Sequence, residues 1–190
     1  MSTPTAARPD WDRLYEMAAS QRGLFTTRQA DRAGYSSQLL NHHAKAGKIQ
    51  RLRRGVFRLV HFPPSDDEPL VEIWLWAERK AVFSHETALS LHDLSDVLPH
   101  RVHVTVPASW RGRRLRAPED VVLHHAVVRR PDLAWVGVLP VTTPERTIQD
   151  CIEAHASPEL VAQAIAQARA RGLVAPDRLV ELERSAGFGR

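Results

Sequence analysis

The stretch SSQLLNHHAKAGKIQRLRRGVFRLV, residues 36–60, places a helix with one polar face directly before a basic β-prone segment, and its reading decides the fold of the N-terminal part. Ser36 is a good N-cap for a helix through Ala46, and Gly47 supplies the left-handed exit that closes it. At the 3.6-residue period Leu39, Leu40 and Ala44 fall on one side, while Ser37, Gln38, Asn41, His42 and Lys45 share the other. Two β-prone runs follow, Ile49 to Arg53 and Val56 to Val60, joined by a tight Arg/Gly turn, which is the pattern of a β-hairpin.

Working upstream, Thr26 and Gln29 have the spacing of a capping box, and Gly34 ends the short helix they open. Before it, Asp10 caps a first helix in which Trp11, Leu14, Tyr15 and Ala18 lie three and four apart, with Gly23 as its terminator. Three short helices followed by a hairpin predict a winged helix-turn-helix over residues 1–62.

This arrangement carries a chemical expectation. Gln and Asn amides can pair both hydrogen-bonding atoms of an adenine edge in the major groove, and Ser or His adds single bonds or phosphate contacts. Gln38, Asn41 and His42 are therefore the candidate base readers, with Ser36 and Ser37 beside them. Lys45, Lys48, Arg51, Arg53, Arg54 and Arg58 follow with no acid among them, as expected of a wing that meets phosphates or a minor groove in double-stranded DNA. Thr26, Thr27 and Arg28, at the start of the second helix, are secondary phosphate candidates.

The charge distribution agrees with this reading. Residues 1–62 carry 11 Lys/Arg against 4 Asp/Glu, a balance of +7, whereas the remainder carries 15 against 18, a balance of −3. A basic unit joined to a mildly acidic one predicts a polyanion partner for the first part and a different role for the second. The segment 63–69, rich in proline and acid, is the expected linker.

Residues 70–190 alternate helical and extended signals: a helix at 70–78, a strand at 81–83, a helix at 86–91, and strands at 101–106, 121–128 and 136–141. Thr143-Pro144-Glu145 and Ser157-Pro158-Glu159 each open a helix, and a last one starts at Asp177. The fold class expected is α+β, an N-terminal winged helix-turn-helix followed by a C-terminal mixed α/β domain. Cys151 is the sole cysteine, so no intrachain disulfide or paired-thiolate zinc site can form. The first residues have no secretory apolar core and no run is long enough to span a bilayer, so a cytoplasmic protein without membrane contact is expected.

The segments Gly47 to Leu59, Phe83 to Leu94 (FSHETALSLHDL), Val102 to Pro107 (VHVTVP) and Thr143 to Asp150 (TPERTIQD), in that order, resemble the AbiEi family of bacterial antitoxins over most of the chain. The resemblance implies a type IV toxin–antitoxin protein whose winged helix represses its own operon. It further implies that the C-terminal antitoxin domain counteracts a nucleotidyltransferase-like AbiEii toxin encoded beside it, without a stable complex. Binding as a homodimer on operator DNA is compatible with that role.

Competing chemistry is weaker. Asp67 with Glu78 and Lys80 imitates a metal-dependent nuclease, but the second acid and lysine fall at a helix end rather than on a strand. Ser84, His85 and Asp93 have triad residue types without a nucleophile elbow, and Ser84 reads as an N-cap. His85 and His92 lie seven apart on one helix and His100, His103, His124 and His125 near strands. Without i,i+4 pairing or thiolates they read as hydrogen-bonding or surface groups, and no catalytic group, cofactor or metal is expected. Arg111, Arg113, Arg114 and Arg116 form a second basic loop that could touch nucleic acid or an acidic protein surface. A regulator without a toxin partner, using the C-terminal part for dimerisation or ligand sensing, is the remaining alternative.

Overall fold

In a computed structural model, which describes residues 8–113 and 116–188, the chain forms two compact units, 1–79 and 80–190. In the first, the elements run α1 (Trp11–Ala19), β1 (Leu24–Thr26), α2 (Thr27–Arg32), α3 (Ser37–Lys45), β2 (Ile49–Arg53), β3 (Val56–Leu59) and α4 (Glu68–Trp76). The strands form an antiparallel sheet in the order β1-β3-β2. Helices α2 and α3, joined by residues 33–36 and followed by the β2–β3 hairpin, make a winged helix-turn-helix.

Local chemistry explains each element. Asp10 accepts from the Arg13 amide at the head of α1, and Ser36 does the same for Leu39 at the head of α3. Thr26 and Gln29 complete a reciprocal capping box at α2. Gln29 also donates to Gln21 at 2.9 Å, and Gln21 donates to the carbonyls of Met17 and Leu24, so two buried amides tie α1, β1 and α2 together with their own polar groups satisfied. The apolar centre comprises Leu14, Ala18, Phe25, Ala30, Tyr35, Leu40, Ile49, Phe57 and Leu59, with the Phe25 and Phe57 rings stacked 5.7 Å apart.

Three features of this unit differ from the sequence expectation. Strand β1 has no counterpart in the sequence expectation, which passes from the Gly23 terminator to the Thr26 cap, although Leu24 and Phe25 are fully buried and pair with β3; a strand this short has too few residues to show alternation. Trp11 and Tyr15 share the inward stripe by spacing, yet they remain 37% and 47% exposed, and Leu14 and Ala18 fill the core instead. Helix α4 packs on β1 and β3 and is grouped with the first unit, so the division falls after Arg79 rather than at residues 63–69.

The second unit contains β4 (Val82–Phe83), α5 (His85–Leu91), β5 (Val102–Pro107), β6 (Val121–Ala126), β7 (Leu133–Val136), β8 (Leu139–Thr142), α6 (Pro144–Glu153), α7 (Pro158–Ala170) and α8 (Pro176–Ser185). Its mixed sheet has the order β6-β5-β4-β8-β7, with β5/β6 and β4/β8 parallel. The extended run expected at 136–141 is a hairpin instead: β7 and β8 pair antiparallel around a turn in which Gly137 takes φ +57. Leu89, Leu94, Ile148, Val161, Ile165, Leu179 and Leu182 form the helical core. Cys151 lies within it, its thiol pushed up to about 12 by burial, and is chemically inert there.

Candidate nucleic-acid interface

Helix α3 buries Leu40 and half-buries Leu39 and Ala44, which turns the opposite face outward. Ser36, Ser37, Gln38, Asn41, His42 and Lys45 are all exposed, and so are Lys48, Arg51 and Arg54. The sequence-derived set thus lies on one helix face and the adjoining hairpin. Among the described residues, none of Lys45, Lys48, Arg51 and Arg54 forms an ion pair with a carboxylate. At the tip, Arg54 and Gly55 form a two-residue turn, with Gly55 at φ +82, where a side chain would strain the backbone.

The six cations of this stretch are not equivalent. Arg53 is ion-paired with Glu72, and Arg58 lies 2.8 Å from a Glu68 oxygen while donating to the Phe62 carbonyl at 3.2 Å. Both acids belong to α4, so the run that carries no acid of its own in sequence is partly neutralised in space. A β-bulge between Arg51 and Arg53 shifts the register of β2 against β3, so the two arginines do not share one environment: Arg51 is exposed with its guanidinium 6.0 Å from the Phe57 ring, whereas Arg53 is held by Glu72.

At the start of α2, Thr26 is engaged in its capping box and the Thr27 amide donates to the Gly55 carbonyl at 2.9 Å. These contacts dock the wing turn on the helix and leave neither group free for phosphate. Arg28 is exposed and stands 3.7 Å from Glu78. Asp67 accepts from Arg22 at 2.9 Å. Two of the three residues that imitate a nuclease site are thus held in ion pairs.

Sequence spacing gave no sign that His43 is part of the frame. Its ring lies 5.8 Å from Trp11 and 5.6 Å from Tyr35, and burial, with Lys48 and His42 nearby, lowers its pKa. It sits behind the exposed face and fixes α3 to α1.

In the second unit, Arg111 donates to the His125 carbonyl at 3.2 Å, and the Arg113 guanidinium lies 4.5 Å over the Trp110 ring; both are exposed, as is Arg116. Arg114 lies outside the described residues. Ser84 occupies the N-cap position of α5 without capping it: the hydroxyl is fully buried, 2.9 Å from His85 Nδ1, and accepts from Thr105. A buried hydroxyl of this kind is closed to substrate, and Asp93, the third residue of the triad pattern, is exposed.

Residues 12–60 match a family model described as a transcriptional regulator, AbiEi antitoxin. The match spans α1 through the wing. No curated protein matches the chain. Among solved structures, the crystal structure of the RV2827C protein from Mycobacterium tuberculosis is similar at 16% identity and a TM-score of 0.46, covering 97% of this chain and 85% of that one.

Proposed function

We propose, from the match of residues 12–60 to a model described as a transcriptional regulator, AbiEi antitoxin, that the chain is a DNA-binding autorepressor and antitoxin of a type IV toxin–antitoxin operon. Helix α3 enters the major groove, where Gln38, Asn41 and His42 read base edges. Lys45, Lys48, Arg51 and Arg54 hold phosphates, with Arg54 carried forward on the wing. Arg53 and Arg58 act through α4, fixing the hairpin rather than meeting DNA. The C-terminal unit opposes a nucleotidyltransferase-like toxin.

The observation that carries the reading is the outward face of α3 and the wing, where four cations with no acidic partner among the described residues flank two amide side chains. Such a surface releases counterions on meeting a polyanion, and its amides can discriminate bases.

The test is titration of the full chain against its own upstream DNA at several salt concentrations. Combined Arg51→Ala and Arg54→Ala should weaken binding to specific and unrelated duplexes alike and lower the salt slope by about 2, roughly one per lost phosphate contact. Asn41→Ala should instead reduce preference for the operator, by about 1–3 kcal/mol for a lost bidentate base contact. An unchanged slope in the double variant refutes the wing assignment. Co-expression with the adjacent gene product tests the second role, since a toxin that stays lethal beside the folded antitoxin leaves a repressor alone.

A further inference from the structure

Three imidazoles that lie far apart in sequence meet on one side of the second unit's sheet. His85 opens α5, His103 lies on β5, and His124 lies on the neighbouring parallel strand β6, opposite Thr105. One ligand-capable nitrogen from each lies within 4.8 Å of the other two. His103 Nδ1 is 3.1 Å from His124 Nε2, and the His85 and His124 rings stack with centroids 3.5 Å apart. We propose that His85, His103 and His124 form a binding site for one divalent cation of the zinc class.

The geometry suits such an ion. Tetrahedral zinc with Zn–N bonds of about 2.0–2.1 Å sets its ligand nitrogens about 3.3 Å apart. The His103–His124 pair is already close to that spacing, and His85, whose nitrogen lies within 4.8 Å of both, completes the triangle once its ring turns out of the stack with His124. Three imidazoles leave a fourth position for water or an added group. Two ring nitrogens at 3.1 Å must either share a proton or share a cation, since two lone pairs facing one another repel.

Neighbouring groups support the cluster. Ser84 is buried beneath His85, and its Oγ, already accepting from Thr105 at 2.8 Å, can also accept from His85 Nδ1 at 2.9 Å. That tautomer leaves the His85 Nε2 lone pair free, the second-sphere arrangement of a metal-bound imidazole. The His103 amide donates to Thr87 Oγ1 at 2.8 Å, which ties β5 to α5. His85 holds φ +53, a left-handed backbone unusual for a buried non-glycine residue and one that a ligand role would repay.

The site is independent of DNA binding, and its test can be separated from it. Full-length protein stripped with chelator is titrated with Zn2+ and with Co2+, read by elemental analysis after gel filtration and by the visible spectrum of bound cobalt. One equivalent is expected, with a low-symmetry cobalt spectrum. His103→Gln and His124→Gln should each weaken binding at least tenfold, whereas His61→Gln and His155→Gln, at exposed positions, should leave it within twofold. Should the cluster variants fail to fold, the wild type still decides the matter: bound zinc should protect these three histidines from carbethoxylation, mapped by mass spectrometry. The absence of near-stoichiometric uptake overturns the proposal. So does protection that falls on other histidines, or unchanged affinity in both folded cluster variants.

Discussion

The two units handle basic side chains in opposite ways. The first exposes Lys45, Lys48, Arg51 and Arg54 on one surface, where water keeps them charged and free to meet a polyanion. The second draws His85, His103 and His124 together, the first buried and the other two half-buried, where the same tendency to accept a proton is suppressed and lone pairs are left available. A charged contact surface announces itself through sign and period along the chain. A neutral ligand cluster depends on strand register and on which helix begins above it, so it belongs to tertiary structure.

The largest expected effect breaks this symmetry by acid. Burial, reinforced by the neighbouring imidazoles, lowers the pKa of His85 from 6.5 to about 3 and that of His124 to about 4. Below pH 6.5 the unfolded chain therefore takes up protons that the folded unit refuses, so stability is full above 6.5 and falls as the pH drops toward 4. For His85 alone the loss reaches about 3 kcal/mol by pH 4.5, at about 1.4 kcal/mol per unit. In chelator-treated protein, hydrogen exchange across 102–107 and 121–126 should accelerate strongly between pH 7 and 5 once corrected for intrinsic rates. Peptides across α3 and the wing should change less, because the imidazole cluster lies in the other unit. Equal acid sensitivity in both units would show that the imidazole cluster is not what acid unfolds.

A smaller effect tests the frame under the exposed face. Gly23 holds φ +81, its carbonyl accepts from the Leu59 amide at 2.9 Å, and an added Cβ would sit 2.5 Å from Phe62 Cγ. Gly23→Ala thus combines backbone strain with a clash against a packed ring and should cost about 2–4 kcal/mol, read by chemical denaturation. Binding to DNA should weaken only as far as the fraction folded falls, since Gly23 carries no contact group. Unchanged stability would mean that the turn between α1 and β1 can relax.

These comparisons also show how far sequence reading reaches. The caps Asp10, Thr26 and Ser36 act through bonds to amides three residues on, so α1, α2 and α3 were legible from local chemistry. The exposed face of α3 was legible for the same reason, because periodicity alone separates Leu40 from Gln38 and Asn41. Arg53 and Arg58 were misplaced among the free cations, since their partners Glu72 and Glu68 arrive from α4 and no local pattern announces a helix that folds back on the wing. The bulge after Arg51 compounds this, because alternation along a strand no longer tells which side a residue faces once a register shift intervenes. His103 and His124 are 21 residues apart and meet only because β5 and β6 pair in parallel with Thr105 opposite His124. No spacing rule along one chain encodes that pairing.

The finest test lies within the wing, where cations of one sequence run divide into two kinds. Arg58→Ala leaves Glu68 poorly solvated and without its cation; the paired side chains are only 16% and 19% exposed, so about 1–2 kcal/mol of stability should be lost, discounted for residual solvent screening. Arg54→Ala removes an exposed group and should leave the unfolding midpoint within about 0.5 kcal/mol of wild type. Its effect should appear in the salt slope of DNA binding instead, lowered by about 1. Placing Glu68→Gln beside Arg58→Ala sharpens the contrast, because the double variant should recover part of the stability lost by the single one as the unpaired charge disappears. If Arg58→Ala also lowered the salt slope by one unit at unchanged stability, α4 would not hold this arginine, and Arg58 would rejoin the phosphate-binding set.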